Sequence, residues 1–184
     1  AARELSLRIP GAETRLDALD FGIPQSIGEF AVTAFPTSHD APGSCGFRLD
    51  AAGGAVGVLT DTGYVTDEAA DILEGVDLAV LEANHDIETL RSGPYPYYLK
   101  QRILGAQGHL SNEDAARFAA VLAQSGTSEI ILAHLSRENN TPAMAQTAVE
   151  RALSAAGVSP LLSVAPRDCL DPAHTVSRRS VCRR

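Results

Sequence analysis

The sequence predicts an α/β fold in which helices cover a layered sheet. Its first part contains short strand-like segments separated by Gly and Pro, as far as the segment GVLTDTG. Beyond that segment, helical patterns alternate with short apolar runs. Strands followed by alternating helices and strands are typical of α/β layer structures with buried central strands. With 184 residues, 45% of them hydrophobic, the chain can form one domain with a core.

The predicted strands of the first part lie after Pro10. Residues 29–35 favour a strand, which is followed by a loop that contains His39. Residues 45–50 and 55–60 have the pattern of a β-hairpin closed by the turn AAGG.

The second part is marked by helix-start and helix-stop residues. TDEAADILEG predicts a short helix capped by Thr66 and ended at Gly75, and VDLAVLEA predicts a buried strand. A pair of short helices broken at SGPYP follows. SNEDAARFAAVLAQSG predicts a helix with Ser111 as cap and Asp114 completing a capping box. SEIILAHL predicts another strand, and TPAMAQTAVERALSAAG a helix with Pro142 in its first turn.

Charge and cysteine content restrict the class of protein. The formal net charge is −8, although residues 167–184 hold five Arg and two Asp. Such an acidic body repels nucleic acid unless the field is locally reversed. Cys45, Cys169 and Cys182 show no C-x-x-C spacing, which argues against a disulfide framework or a thiolate zinc site. Without a long apolar run or a signal-peptide pattern, we predict a soluble cytoplasmic protein with no membrane contact.

Titratable side chains follow several of the predicted strands. Because strands of an α/β sheet place their carboxyl ends at one edge, these side chains predict a convergent site. The segments are AFPTSHD with His39, GVLTDTG with Asp61, LAVLEANHD with Glu82 and His85, and IILAHLSRENN with His134.

The residue types at these strand ends indicate metal binding. Imidazoles and carboxylates are ligands of zinc, manganese and iron, and one carboxylate can bridge two ions. His39, Asp61 and His134 are therefore candidate ligands. Taken alone, Asp61 also suits a turn residue that bonds its own backbone, and each His also suits the protein interior.

A second set of residues suits proton transfer and substrate binding. Glu82 can orient His109, which can then protonate a leaving oxygen. His109 precedes the helix start at Ser111, where free N–H groups favour an anion such as phosphate; simple helix capping is the alternative. YPYYLKQR contains three Tyr with Lys100 and Arg102, a mixture that stacks on bases and pairs with phosphates, although tyrosines at helical spacing also pack in cores.

Taken together, six segments resemble the metallo-β-lactamase superfamily, in particular the bacterial YycJ/WalJ/VicX-like hydrolases. In chain order they are FPTSHDA, LTDTGYVTDEA, LEANHD, GPYPYYLKQRIL, GHLSNEDAA and LAHLSRENN. The resemblance implies the C-terminal half of an αββα sandwich with a two-metal site at one edge. We therefore expect a metallo-β-lactamase-like domain over residues 1–165 that lacks its N-terminal half. From its excess of Arg we predict a basic, disordered tail over residues 166–184.

The resemblance assigns roles to individual residues. His39, Asp61 and His134 match family metal ligands, with Asp61 as the bridge, and Glu82 with His109 matches a proton-transfer pair. The expected substrate- or phosphate-binding residues are His85, Lys100, Ser111, Asn112, Ser136 and Asn139. The family signature H-x-H-x-D-H is absent from these residues, so we expect a C-terminal portion of an enzyme that alone binds metal weakly and is weak or inactive.

The resulting hypothesis is a 5′→3′ exonuclease-like phosphodiesterase in which two divalent ions, zinc or manganese, activate water. Its expected partner is nucleic acid, and a homodimer is a further expectation. Two alternatives stay open. One is a hydrolase of the same fold acting on a small ester, thioester or cyclic nucleotide, and the other is a non-catalytic interaction module.

Overall fold

The structure, a computed structural model, describes residues 7–11, 14, 16, 18–169 and 172–176. These residues form a mixed seven-stranded sheet whose strands lie in chain order, and helices pack on it. The strands are β1 (Gln25–Ile27), β2 (Phe30–Pro36), β3 (Cys45–Ala51), β4 (Gly54–Leu59), β5 (Leu78–Glu82), β6 (Glu129–Ala133) and β7 (Leu161–Val164). The helices are α1 (Asp67–Leu73), α2 (Ile87–Ser92), α3 (Tyr97–Leu104), α4 (Asn112–Gln124) and α5 (Pro142–Ala155). The α/β fold class is confirmed.

The direction of the strands determines where the site forms. Strands β1 to β4 pair antiparallel, and β4 to β7 pair parallel. Strands β2, β4, β5 and β6 therefore run in the same direction and end at one edge of the sheet. The loops after these strands meet there, which is why residues far apart in the chain share a site.

The core lies between the sheet and the helices. Phe35, Leu59, Leu81 and Leu132 come from successive strands of like direction, and each is at most 1% exposed. Leu122 of α4 belongs to the same cluster, and α4 also contacts α5 and β5. Burial of each such side chain contributes about 2 kcal/mol, so this row fixes the strand ends relative to one another.

The predicted helix starts are confirmed by side-chain caps. Thr66, Ser111 and Thr141 each accept a hydrogen bond from a backbone N–H in the first turn of their helices. The capping box at Ser111 differs from the usual arrangement in one hydrogen bond, because the Ser111 hydroxyl donates to Asp114 Oδ2 at 2.6 Å. The Asp114 carboxylate therefore fixes the hydroxyl that caps the helix.

The C-terminal edge of the sheet differs from expectation. Strand β7, only four residues long at the edge of the sheet, is not predicted from the sequence. Beyond it, His174 Nδ1 lies 2.5 Å from Glu129 Oε1 of β6. Residues 170, 171 and 177–184 of the predicted tail lie outside the described residues.

Within the described ranges, every helix is too short or too polar to cross a bilayer.

Candidate functional site

One carboxylate faces two imidazoles at the edge where β2, β4 and β6 end. Asp61 Oδ1 lies 3.7 Å from His39 Nε2 and 3.6 Å from His134 Nε2. These distances are too long for hydrogen bonds. They are near the ~3.4 Å that separates two ligand atoms of one tetrahedral ion with ~2.1 Å bonds. The arrangement therefore suits a cation on each side of Asp61.

In both imidazoles, the nitrogen that does not face Asp61 makes a hydrogen bond that fixes the ring, which suits a metal ligand. His39 Nδ1 donates to the Gly108 carbonyl at 2.9 Å, and His134 Nδ1 donates to Glu82 Oε1 at 2.8 Å. Since a carbonyl and a carboxylate only accept, Nδ1 carries the proton in both rings. In the neutral rings, Nε2 then keeps its lone pair and faces Asp61. Fixing a ring through its distal N–H is the usual support of a metal-bound histidine.

Backbone strain occurs at the same two strand ends. Asp61 and His134 have φ angles of 55° and 58°, and among described residues other than glycine no others have positive φ. The left-handed conformation is unfavourable for a residue with a Cβ and is concentrated at functional sites. The turn's own hydrogen bonds come from Thr62, which donates to the Tyr64 carbonyl through Oγ1 and to Glu82 Oε2 through its N–H. In the described chain the Asp61 carboxylate accepts no backbone hydrogen bond, so the turn-residue interpretation is not supported.

Gly63 brings the Asp61 turn against the loop that leads to His109. Its N–H donates to the Ser38 carbonyl at 2.8 Å. A Cβ at Gly63 would lie 2.2 Å from the Ala106 carbonyl oxygen, so no other residue fits without movement of the backbone. This contact sets how closely the loops of His39, Asp61 and His109 approach.

Glu82 links the candidate ligands to His109. Its side chain is fully buried, and its oxygens accept hydrogen bonds from His109 Nδ1 at 2.7 Å, His134 Nδ1 at 2.8 Å and Thr62 N at 2.9 Å. Burial alone would raise the pKa of Glu82, but these hydrogen bonds outweigh it and hold the pKa below its ordinary value. The bond from Glu82 in turn raises the pKa of His134, against the effect of burial. With its oxygens occupied by N–H donors, Glu82 orients both imidazoles.

The His109 ring lies close to the rings of both His39 and His134. Its ring centroid lies 4.8 Å from that of His39 and 5.2 Å from that of His134. Two overlapping groups have ligand atoms close enough to hold an ion, namely His39 with Asp61 and His109, and Glu82 with His109 and His134. The donor set is imidazole nitrogen and carboxylate oxygen, which matches zinc or manganese.

Among the expected phosphate-binding residues, Ser136 shares a cavity with His39 and His109. Its Oγ accepts hydrogen bonds from Asn139 N at 3.2 Å and Asn139 Nδ2 at 3.4 Å. These bonds occupy the acceptor side of the hydroxyl, so its proton is available to a ligand oxygen. Asn139 is fully buried, and its contact in this region is with Ser136.

The other phosphate-binding candidates are not brought to this cavity. Ser111, Asn112 and His85 are at most 3% exposed, so their side chains do not face solvent in this structure. Ser111 caps α4 and Asn112 Nδ2 donates to Asn140 Oδ1, whereas both ring nitrogens of His85 find no hydrogen-bond partner among the described residues. Lys100 Nζ donates to two carbonyl oxygens near the end of α2, at 2.6 and 2.7 Å, and so secures that helix end.

Sequence reasoning missed one charged residue of the site. Asp40 Oδ1 lies 3.7 Å from His39 Nε2, and the Asp40 carboxylate accepts two hydrogen bonds from Arg102, at 2.5 and 3.1 Å. The guanidinium holds the pKa of Asp40 below its ordinary value. The position of Asp40 next to His39 in the sequence indicates that it belongs to the site, whereas the pairing of Asp40 with Arg102 depends on the tertiary fold.

Comparisons with known proteins identify the family of the chain. Residues 2–135 match the family model described as the beta-lactamase superfamily domain. The chain is 42% identical over 137 residues to the exodeoxyribonuclease WalJ of Streptococcus pneumoniae serotype 2 (strain D39), covering 74% of this chain and 51% of that protein. It is 38% identical over 136 residues to the exodeoxyribonuclease YycJ of Bacillus anthracis, covering 74% and 52%. The chain thus spans about half the length of these relatives.

A solved structure supports the fold. The crystal structure described as a new diphosphatase from the PhnP family superposes with a TM-score of 0.58 at 13% identity, over 96% of this chain and 56% of that one. At that identity the likeness concerns the fold alone. The family match, the relatives and the α/β sheet together show that the chain belongs to the metallo-β-lactamase superfamily, among its YycJ/WalJ-like members.

Proposed function

We propose that the complete protein is a metal-dependent hydrolase of nucleic-acid phosphodiester bonds that acts as a 5′→3′ exodeoxyribonuclease. The observation that carries this proposal is the position of Asp61 Oδ1, 3.7 Å from His39 Nε2 and 3.6 Å from His134 Nε2. The choice of DNA is supported by the relatives, which are named exodeoxyribonucleases and are 42% and 38% identical to this chain.

His39, Asp61 and His134 would hold two divalent ions, zinc or manganese, together with ligands that these 184 residues do not contain. When bound, such ions make water more acidic and neutralise negative charge on a phosphate.

This chain's own residues supply the proton and the phosphate contact. His109 can hold a proton at Nε2 because Nδ1 is bonded to the buried carboxylate of Glu82 at 2.7 Å, which balances the positive charge. We assign His109 as the acid that protonates the leaving oxygen, with Glu82 as its positioning residue. The Ser136 hydroxyl, whose acceptor side is taken by Asn139, donates to a phosphate oxygen.

The test uses the product of the complete gene with single- and double-stranded DNA and RNA, labelled at either end, in the presence of Mn²⁺ or Zn²⁺. We expect mononucleotide release from the 5′ end of DNA. Asp61→Ala and His134→Ala should each lower kcat/KM by about 100-fold or more, a loss comparable to that of a key catalytic group.

The matched controls are Asp67→Ala and His174→Ala, which change the same residue types outside the site. Asp67 is exposed in the first turn of α1, and His174 lies against Glu129. Rates for Asp61→Ala and His134→Ala within a few-fold of these controls would contradict the assignment. A correctly folded parent that binds no transition metal would instead support a non-catalytic module.

A second candidate function is hydrolysis of a small phosphodiester such as a cyclic nucleotide. It is favoured by the net charge of −8 and by the pairing of several arginines with carboxylates, as in Arg48 with Asp50 and Arg102 with Asp40. Such pairs leave little free positive charge for a long polyanion. Strong inhibition of small-diester hydrolysis by an oligonucleotide supports the nuclease, and the lack of inhibition supports this second candidate.

Location in the cytoplasm and assembly as a homodimer stay predictions. Size-exclusion chromatography with light scattering and cell fractionation would test them.

A further inference from the structure

We propose that the cavity beside His39 and His109 binds the nucleobase of the nucleotide next to the cleaved bond, with Tyr95 as the aromatic wall of the base site. The proposal rests on the proposed function, since it names a subsite of that same hydrolase.

The cavity has the size and position that a single base requires. Its volume is about 270 Å³, and it opens beside the two imidazoles that flank the reacting position. That volume lies just below the usual range for small-molecule sites, so it suits one nucleotide and excludes a duplex. Its lining includes Asn84, Tyr95, Leu99, Arg102, Ile103 and Ser136.

One wall of the cavity is apolar. Leu99 and Ile103 are four residues apart on α3 and so lie on the same face of this helix, with Tyr95 just before its start. None of the α3 residues is buried, so this face of the helix does not pack into the core. An aromatic ring with two aliphatic neighbours is a surface on which a base stacks regardless of its identity.

The charge of the cavity argues for a base over a phosphate. Apart from the imidazoles of His39 and His109, the lining contains one cation, Arg102, and one anion, Asp40, and these two pair through two hydrogen bonds of 2.5 and 3.1 Å. Their charges cancel, whereas a phosphate subsite retains unbalanced positive charge. A neutral ring with polar edges is the part of a nucleotide that matches such a lining.

Polar groups of the lining complement a base and its phosphate. Asn84 Nδ2 donates to the His134 carbonyl at 2.8 Å, which fixes the amide and leaves Oδ1 as an acceptor. Ser136 lies on the same lining, where its hydroxyl donates to the phosphate that the base carries. Because Asn84 bonds the His134 carbonyl and Ser136 follows His134 by two residues, a base held here would place its phosphate at the candidate metal centre.

The experiment measures equilibrium binding to the complete gene product by calorimetry, with deoxyadenosine monophosphate and the base-free deoxyribose 5-phosphate as probes. We expect the nucleotide to bind about tenfold or more tightly than the sugar phosphate, the preference that one base stack provides. Tyr95→Ala should remove most of that preference and Tyr95→Phe should keep it. Tyr97→Ala is the matched control, since Tyr97 is 77% exposed and does not line this cavity.

A second measurement does not depend on whether the Tyr95 variants fold. Photo-crosslinking of 5-iodo-deoxyuridine monophosphate to the parent protein should modify Tyr95, and mass spectrometry distinguishes it from Tyr97 and Tyr98. Crosslinking elsewhere, equal binding of the two probes by the parent, or equal loss in Tyr97→Ala would overturn the base site.

Failure of the base site and failure of the proposed function give different results. If the protein hydrolyses DNA but binds the nucleotide and the base-free sugar phosphate equally, the base site alone is overturned. A base preference that depends on Tyr95, in a protein that hydrolyses no phosphodiester, supports the base site and overturns the proposed function.

Discussion

Asp61 and His134 both adopt left-handed backbone conformations, and their side chains face each other with Oδ1 3.6 Å from Nε2. Each residue ends a strand of the parallel part of the sheet, at the first or second position beyond it. The left-handed turn redirects the side chain towards the common edge. The strain of about 1 kcal/mol per residue is therefore part of how the site is built.

The first prediction separates this strain from metal binding at Asp61. Asp61→Gly and Asp61→Ala both remove the carboxylate, but only glycine adopts a φ of 55° without strain. We expect Asp61→Gly to be more stable than Asp61→Ala by about 1 kcal/mol, with metal binding lost in both. Urea denaturation with a common m-value measures the difference, and equal stabilities would contradict the role of backbone strain.

The second prediction concerns the close contact at Gly63. Gly63→Ala places a methyl group 2.2 Å from the Ala106 carbonyl oxygen and should destabilise the protein by about 1–3 kcal/mol through backbone displacement. Gly53→Ala is the control, because its methyl group would lie 3.7 Å from the nearest atom, an ordinary contact. If the two variants unfold at the same urea concentration, the close packing of these loops is not as described.

The third prediction concerns the charge of Glu82. Glu82→Gln keeps the shape but sets an NH₂ group against N–H donors from His109, His134 or Thr62, so one buried donor loses its partner. We expect a loss of about 2–3 kcal/mol in the free energy of unfolding. Glu88→Gln is the control, since Glu88 is 81% exposed and its pair with Arg91 contributes under about 1 kcal/mol. A Glu82 variant as stable as this control would contradict its role as a shared acceptor.

The fourth prediction concerns acid stability and His85. Burial lowers the pKa of His85 from 6.5 to about 4, and within the part of the chain that the structure describes neither ring nitrogen has a hydrogen-bond partner. Between those values the unfolded chain binds a proton that the folded protein excludes, so stability falls on acidification from pH 6.5 to about 4 and this contribution levels off below. The contribution is roughly 3 kcal/mol.

His85→Leu tests this linkage, because leucine has similar volume and no ionisable group. We expect the variant to be as stable as the parent at pH 7.5 or more so, and to lose less stability at pH 5. Parallel pH profiles of the two proteins would show that His85 does not titrate in this window.

The elements that position the site are predictable because their signals are local. An apolar run ending at Asp61 or His134 predicts a buried strand, and Thr66 or Ser111 before a helical pattern predicts a helix start. The convergence of the strand ends follows from the geometry of parallel strands. The bond between Glu82 and His109 is likewise consistent with the pairing expected from the sequence.

The differences arise where the determining contacts are distant in the chain. Asn112 resembles a surface residue at a helix start, yet it bonds Asn140, which also donates to the Ala83 and Asn84 carbonyls. Burial of these polar residues depends on that network, which no local pattern encodes. The edge strand β7 has only four residues, which is too short for an alternation of apolar and polar residues to be recognised.

The most direct test of the central claim is anomalous X-ray diffraction at the zinc or manganese edge from crystals of the complete gene product grown with that metal. We expect peaks within ~2.3 Å of the Asp61 carboxylate, with His39 Nε2 and His134 Nε2 as further ligands. Anomalous density away from Asp61, or none at full metal loading, would contradict the assignment of this edge as the metal centre.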